Sequence, residues 1–176
     1  MSVILVATDG GRSIITYRGA SKGLVGAKID WEKVARADWI QIGALGGNLS
    51  LVEDLISYAR EKKIRVGWNP GKGELAHKER VVRLLPKIEL LLLNRMEASG
   101  FLHHPYEEMK EMAGKLTQFG VKMVSITDGK RGAGIASRGV WLTAGAFKTK
   151  SIDDTGAGDA FTAGVIAGIL AQKELG

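Results

Sequence analysis

Residues 153–164 read Asp-Asp-Thr-Gly-Ala-Gly-Asp-Ala-Phe-Thr-Ala-Gly, a glycine turn and a carboxylate placed where an apolar helix begins. Small residues at Gly156, Ala157 and Gly158 leave consecutive backbone N–H groups open to an anion, and the start of a helix adds its positive dipole end. Asp159, in the first turn, stands where a carboxylate could take the proton of an attacking hydroxyl. Together these residues have the layout of a phosphoryl-transfer site.

Two other runs could serve the same chemistry. Thr127-Asp128-Gly129-Lys130-Arg131-Gly132 follows an apolar run, and its two glycines would let the backbone come close to phosphate or ribose. Taken alone, it reads equally well as a turn between strands. Asn94-Arg95-Met96-Glu97 follows the continuous apolar run 90–93, and strand ends in open parallel sheets are where ligands bind. An N-cap Asn with a first-turn Glu would explain the same residues structurally.

The elements that must hold these runs can be read from periodicity. Residues 3–7 and 13–17 are β-rich runs around Asp9-Gly10-Gly11, the pattern of a hairpin. Strands are expected at 39–42, 64–68, 90–93 and 121–127, with a closing hairpin from 135–136 and 140–142. Ser50 to Glu53 has capping-box spacing, and Leu51, Val52, Leu55, Ile56 and Ala59 then repeat as one helical face. Further helices are expected at about 74–85, around Tyr106 to Leu116 and at 157–171, the last apolar all round and hence buried. Strand and helix alternate, so the fold class is α/β, with a mainly parallel sheet and helices on both sides.

Composition narrows the classes. At 176 residues, with 45% hydrophobic and 25% charged, the chain suits one core and one α/β domain over 1–176. It has no apolar run near the roughly 20 residues that span a bilayer and no signal-peptide pattern, so a cytoplasmic protein without a membrane partner is expected. Zero cysteines exclude disulfides and thiolate metal sites. The net charge is +6, and residues 60–89 hold nine Lys and Arg against four Glu. Glu61, Glu74, Glu79 and Glu89 interleave with those cations, and Trp68 is the one aromatic there, so solvated helix faces are a better reading than a nucleic-acid surface.

Classical nucleotide fingerprints are missing. No G-x-x-x-x-G-K-[ST] run occurs, and no apolar strand precedes Gly156-Ala157-Gly158 as a dinucleotide fold would need. Adjacent His103 and His104 lack the partners of a metal site. Trp31, Trp39 and Trp141 are expected to pack rather than to bind.

In the order and spacing of its three runs the chain resembles the PfkB/ribokinase family of carbohydrate and nucleoside kinases. Asp153, Gly156, Ala157, Gly158, Asp159, Ala163 and Gly164 fit the family signature, and Asp154 departs from it with an acid where a small or hydroxylated residue is usual. The resemblance implies a ribokinase-like three-layer α/β/α fold in which the first hairpin is part of a lid. It implies ATP as phosphoryl donor and a sugar or nucleoside acceptor, with Asp159 as base and Gly156 to Gly158 as anion hole. Asn94, Thr127, Asp128, Gly129 and Gly132 would line the nucleotide, and Glu97 would help hold hydrated Mg2+. Asp153 matches a position that lies beside a monovalent cation in some members. Relatives carry further βα units with a Gly-Gly substrate motif, and later helices bordering the adenine, so the chain reads as an internal fragment or truncated relative. Three readings follow: a sugar or nucleoside kinase, a nucleotide-binding or structural module without turnover, and a nucleic-acid binder using residues 60–87. The acceptor and the oligomeric state, with a homodimer through lid strands as one form, stay open.

Overall fold

The computed structural model describes residues 2–6, 12–16, 26–103, 108–149 and 155–171. The chain divides into two compact units, one formed by Gly26–Phe147 and the other by Met1–Val25 with Lys148–Leu175. Among the described residues no helix is long and apolar enough to cross a membrane.

The larger unit is built on a six-stranded sheet. Strands β3 (Trp39–Ile42), β4 (Arg65–Trp68), β5 (Leu90–Asn94), β6 (Met123–Thr127), β7 (Ala133–Ser137) and β8 (Val140–Ala144) lie in that order. β3 to β6 are parallel, and β7 and β8 add antiparallel, so the sheet is mixed with a mainly parallel body. β5 sits between two partners, and Leu90, Leu91, Leu92 and Leu93 are all buried, the burial expected of a strand covered on both faces.

Helices α1 (Trp31–Val34), α2 (Leu49–Glu61), α3 (Lys72–Leu75), α4 (Lys78–Leu84), α5 (Arg95–Leu102) and α6 (Met109–Thr117) fill the connections. Val52, Ile56 and Ala59 of α2 share one core with Val66 and Trp68 of β4, Leu91 and Leu93 of β5, and Met112 and Leu116 of α6. The α2 face is therefore the one its periodicity predicts. Its cap is not: Asn48, rather than Ser50, accepts from Leu51 N at 3.2 Å, so the helix starts at Leu49. The single helix expected at 74–85 is two, parted at Ala76 and His77, and Glu74 in the first of them turns its side chain inward onto loop backbone. Tyr106 and His104 lie outside the described residues, and α6 runs from Met109.

The tryptophans pack. Trp31 packs at a tilt against Tyr58 with centroids 4.6 Å apart and donates to Gly26 O at 3.1 Å. Trp141 lies against the bare Cα of Gly134, where any Cβ would collide with its ring. Trp39 lies under the Arg65 guanidinium.

The smaller unit holds the hairpin of β1 (Ser2–Val6) and β2 (Arg12–Thr16), antiparallel with Ile4 opposite Ile14. It also holds α7 (Ala157–Leu170), and there the expectation of burial fails. Among its described residues none is buried. An apolar composition states what a helix needs; burial also requires a neighbouring surface to pack against, which composition does not supply.

Candidate phosphoryl-transfer site

Parallel strands put the loops after β3, β4, β5 and β6 at one edge of the sheet. Two of the sequence motifs meet there directly, since Asn94 and Thr127 are register partners at the ends of β5 and β6. Asn94 is also the N-cap of α5. Its Oδ1 accepts from Glu97 N at 2.8 Å, and Glu97 Oε2 accepts from Asn94 N at 2.9 Å, a reciprocal capping box. The structural reading of Asn-x-x-Glu is thus correct for this chain, and it fixes both side chains at the strand end. Burial pushes the Glu97 carboxyl above its ordinary range, against the pull of the Asn94 hydrogen bonds and the Lys72 charge.

The loop after β6 is a tight turn. Asp128 N donates to Gly132 O at 2.8 Å, and Gly132 N to Gly129 O at 3.0 Å. Gly132 has φ +96° and lies against the Ala144 carbonyl, so both its backbone and its surroundings require glycine. Gly129, at φ +51°, has open space where a Cβ would be.

Asp128 is engaged by the scaffold. Arg95 Nη1 reaches Asp128 Oδ2 at 2.8 Å, and both side chains are only 13% exposed. Arg131 Nε lies 2.7 Å from the same oxygen, with its side chain 65% exposed. Burial alone would raise the Asp128 carboxyl, but hydrogen bonds from Arg95 and Arg131, and their charges, outweigh it and hold it below the ordinary carboxylate range. The carboxylate thereby clasps the start of α5 to the loop after β6.

A second carboxylate does the same between the neighbouring loops. Glu74 is fully buried. Its Oε1 accepts from Leu45 N at 2.9 Å and Gly47 N at 2.7 Å, and its Oε2 from Gly71 N at 2.9 Å. The loops after β3 and β4 are thus pinned to one side chain, and Gly73 packs against the Gly47 backbone with no room for a Cβ. Asn69 adds a bond from Nδ2 to Leu92 O at 2.8 Å, tying the end of β4 to β5.

Sequence reasoning missed Arg95 and Glu74. Glu74 counted only as one acid among cations, although Gly71-Lys72-Gly73-Glu74 after a strand has the spacing of a glycine-led cap. Arg95 carried no signal, because its partner is 33 residues away.

The glycine turn belongs to the other unit. Gly156 is the N-cap of α7 at φ +83°, in the left-handed region where glycine is favoured. Ala160 N donates to Gly156 O at 2.9 Å, so the N–H groups of Ala157, Gly158 and Asp159 precede the first bond of the helix. A Cβ at Gly156 or Gly158 would meet nothing within 4 Å, so no packing contact explains the missing side chain at either position. Asp159 is exposed in the first turn. Asp153 lies outside the described residues.

Among the described residues no three His, Cys, Asp or Glu side chains converge as a metal site. Mg2+ fits such an edge only as a partly hydrated ion shared between a carboxylate and bound phosphates, its usual manner. Glu97 suits that role, because its bond to Asn94 N uses one oxygen of a hard donor pair.

Known proteins bear on the family and the fold. The model of the pfkB family carbohydrate kinases matches residues 1–176. An uncharacterized sugar kinase of Archaeoglobus fulgidus is 27% identical over 99% of this chain and 69% of its own length. The structure of a probable sugar kinase from Rhizobium etli superposes with a TM-score of 0.85 at 22% identity, over 99% of this chain and 55% of that one. A putative ribokinase II of E. coli, solved in complex with ATP and Mg2+, gives a TM-score of 0.78 at 18% identity over 94% of this chain and 57% of its own. The chain therefore spans little more than half the length of the structures that it matches, and their fold is the ribokinase-like α/β arrangement of its own sheet. On the match along its whole length, the chain belongs to the pfkB family of carbohydrate kinases.

Proposed function

We propose that the chain carries the nucleotide side of an ATP-dependent kinase that transfers the γ-phosphate to a hydroxyl of a sugar or nucleoside. The observation that carries this reading is the register pairing of Asn94 with Thr127, which sets two family motifs side by side at the ligand-binding edge of the sheet. The turn at Gly129 and Gly132 offers backbone to the nucleotide. Asp128 serves by holding that turn in place.

Asp159 takes the proton of the acceptor hydroxyl as its oxygen attacks the γ-phosphorus in line, and the bond to the β,γ-bridging oxygen breaks to leave ADP. Backbone N–H groups from Gly156 to Gly158 hold the charge that develops on the transferring phosphoryl group. Donors so arranged are worth a few kcal/mol each, roughly 3, in comparable sites. Mg2+, when bound, neutralises phosphate oxygens, and Glu97 is the residue that would hold it through its water shell.

A second reading is a nucleotide-binding or structural module without turnover. Thermal unfolding with and without MgATP tests both. A site held near 100 Kd adds about 2.7 kcal/mol, and such a shift followed by ADP release with one member of a sugar and nucleoside panel supports the kinase. A shift without turnover favours the module, and no shift refutes the nucleotide site itself.

A further inference from the structure

At the opposite edge of the sheet the chain builds a different feature. A cavity of about 300 Å³ opens at the amino-terminal ends of β4, β5 and β6, within the larger unit. Leu90 to Asn94 spans roughly 13 Å at the rise of a strand, so this cavity is well removed from the loops after β5 and β6. Its floor is apolar, from Ile64, Val66 and Ile88, all buried. Its walls carry Arg60, Lys63, Arg65, Lys87 and Lys122 against a single carboxylate, Glu89.

Arg60, Lys63 and Arg65 come from one short segment, and Lys87 and Lys122 from two others well apart in the chain. Lys122 pairs with Glu89 at 2.6 Å, and Arg65 lies over the Trp39 ring at 5.7 Å. Arg60, Lys63 and Lys87 make no ion pair among the described residues. Like charges gathered at one concavity repel each other until an anion enters.

Lys63 adds an independent sign. It follows α2 at φ +59°, where its N–H donates to Arg60 O at 3.2 Å and Ile64 N donates to Ala59 O at 2.8 Å. This is the left-handed helix end at which glycine is the unstrained choice. A lysine holds the position instead, and its side chain lines the cavity.

We propose that this cavity is a binding site for a small multivalent phosphate-bearing anion, separate from the candidate transfer site and independent of the kinase reading. Its volume is at the lower end for small-molecule sites. Its concavity, with no aromatic side chain among the described residues that line it, suits a compact anion rather than a nucleic acid, which would want open stacking faces.

Pyrophosphate is the probe, with backbone amide chemical shifts followed by NMR on the whole chain. The expected result is saturable perturbation centred on residues 60–66, 86–89 and 122. Lys63→Gly should raise the melting temperature by roughly 2–4 °C by relieving the left-handed lysine, yet weaken pyrophosphate by about tenfold through loss of one charged contact. Lys87→Gln should weaken it similarly. Perturbation confined to residues 94, 127–132 and 156–159, or unaltered binding in both variants, would overturn the proposal. So would an oligonucleotide that binds more tightly than pyrophosphate with shifts spread along α2 and α4.

Discussion

Asp128→Ala tests the scaffold that holds the loop after β6, proposed to face the nucleotide. The carboxylate faces two guanidinium groups of different exposure, Arg95 at 13% and Arg131 at 65%. Exposed pairs contribute up to about 1 kcal/mol, whereas breaking a buried pair costs about 3–5 kcal/mol. With Arg95 and Asp128 both mostly buried, the Arg95 side of the loss should fall near 2–3 kcal/mol and the Arg131 side below about 1 kcal/mol. For a chain of this size that lowers the melting temperature by roughly 5–10 °C. Urea unfolding measures it, with the slope unchanged and the midpoint moved. Arg131→Ala is the internal control and should stay within about 1 kcal/mol of the parent. MgATP should also stabilise the Asp128→Ala chain less, because the loop that it would touch has lost its anchor. An Asp128→Ala midpoint equal to the parent's, or an Arg131→Ala loss as large as that of Asp128→Ala, would refute the reasoning.

Other expectations follow from the same contacts. Glu74→Ala deprives three backbone N–H groups of their acceptor, at about 1–3 kcal/mol each, and should leave the chain unfolded or near it by circular dichroism, while Glu74→Gln should be milder. Gly132→Ala forces a Cβ onto the Ala144 carbonyl at positive φ and should cost about 2–3 kcal/mol in urea unfolding. The Asp128 carboxyl is held below its unfolded value, so its contribution is complete above that value and is lost as pH falls through the folded one. A stability curve taken below about pH 4 should therefore drop more steeply for the parent than for Asp128→Asn. Asp159→Asn should reduce phosphoryl transfer by about 10²–10⁴-fold while the MgATP melting shift persists; equal turnover would remove Asp159 from the base role.

The sheet was legible because its strands are short runs rich in apolar and β-branched residues, continuous and apolar in β5. Leu90 to Leu93 read as a strand covered on both faces, and all four prove buried. The motifs were legible because glycine and carboxylate positions follow backbone geometry, as Gly156 and Gly132 show with their positive φ. What the sequence concealed depends on pairs of residues far apart. Arg95 finds Asp128 across 33 positions, and Glu74 reaches back 29 to Leu45, distances at which no periodicity operates. The basic run 60–89 looked uniform in sequence, yet folding buries Glu74, pairs Arg80 with Glu53 across 27 positions and turns Arg60, Lys63, Arg65 and Lys87 toward one cavity. The exposure of α7 was illegible for a simpler reason, since a helix's own composition cannot show which neighbours the chain provides.

The carboxylates after β4, β5 and β6 then have separate tasks. Glu74 is satisfied by three backbone donors and Asp128 by two guanidinium groups, so neither is available to a cation without dismantling a loop. Glu97 gives one oxygen to Asn94 N, and its carboxyl is raised by burial, which disfavours its charged form until a positive partner arrives. One carboxylate makes a weak site for a hexahydrated ion. It makes a better one for an ion already neutralising phosphates, which supply the remaining oxygens. Free Mg2+ at millimolar concentration should therefore leave the melting temperature unchanged, and ATP without metal should shift it less than MgATP. Glu97→Gln should reduce the gain from metal while sparing that from ATP alone. A melting shift by Mg2+ alone that vanishes in Glu97→Gln would mean instead that this edge holds the ion by itself, and that order of assembly would have to be reversed.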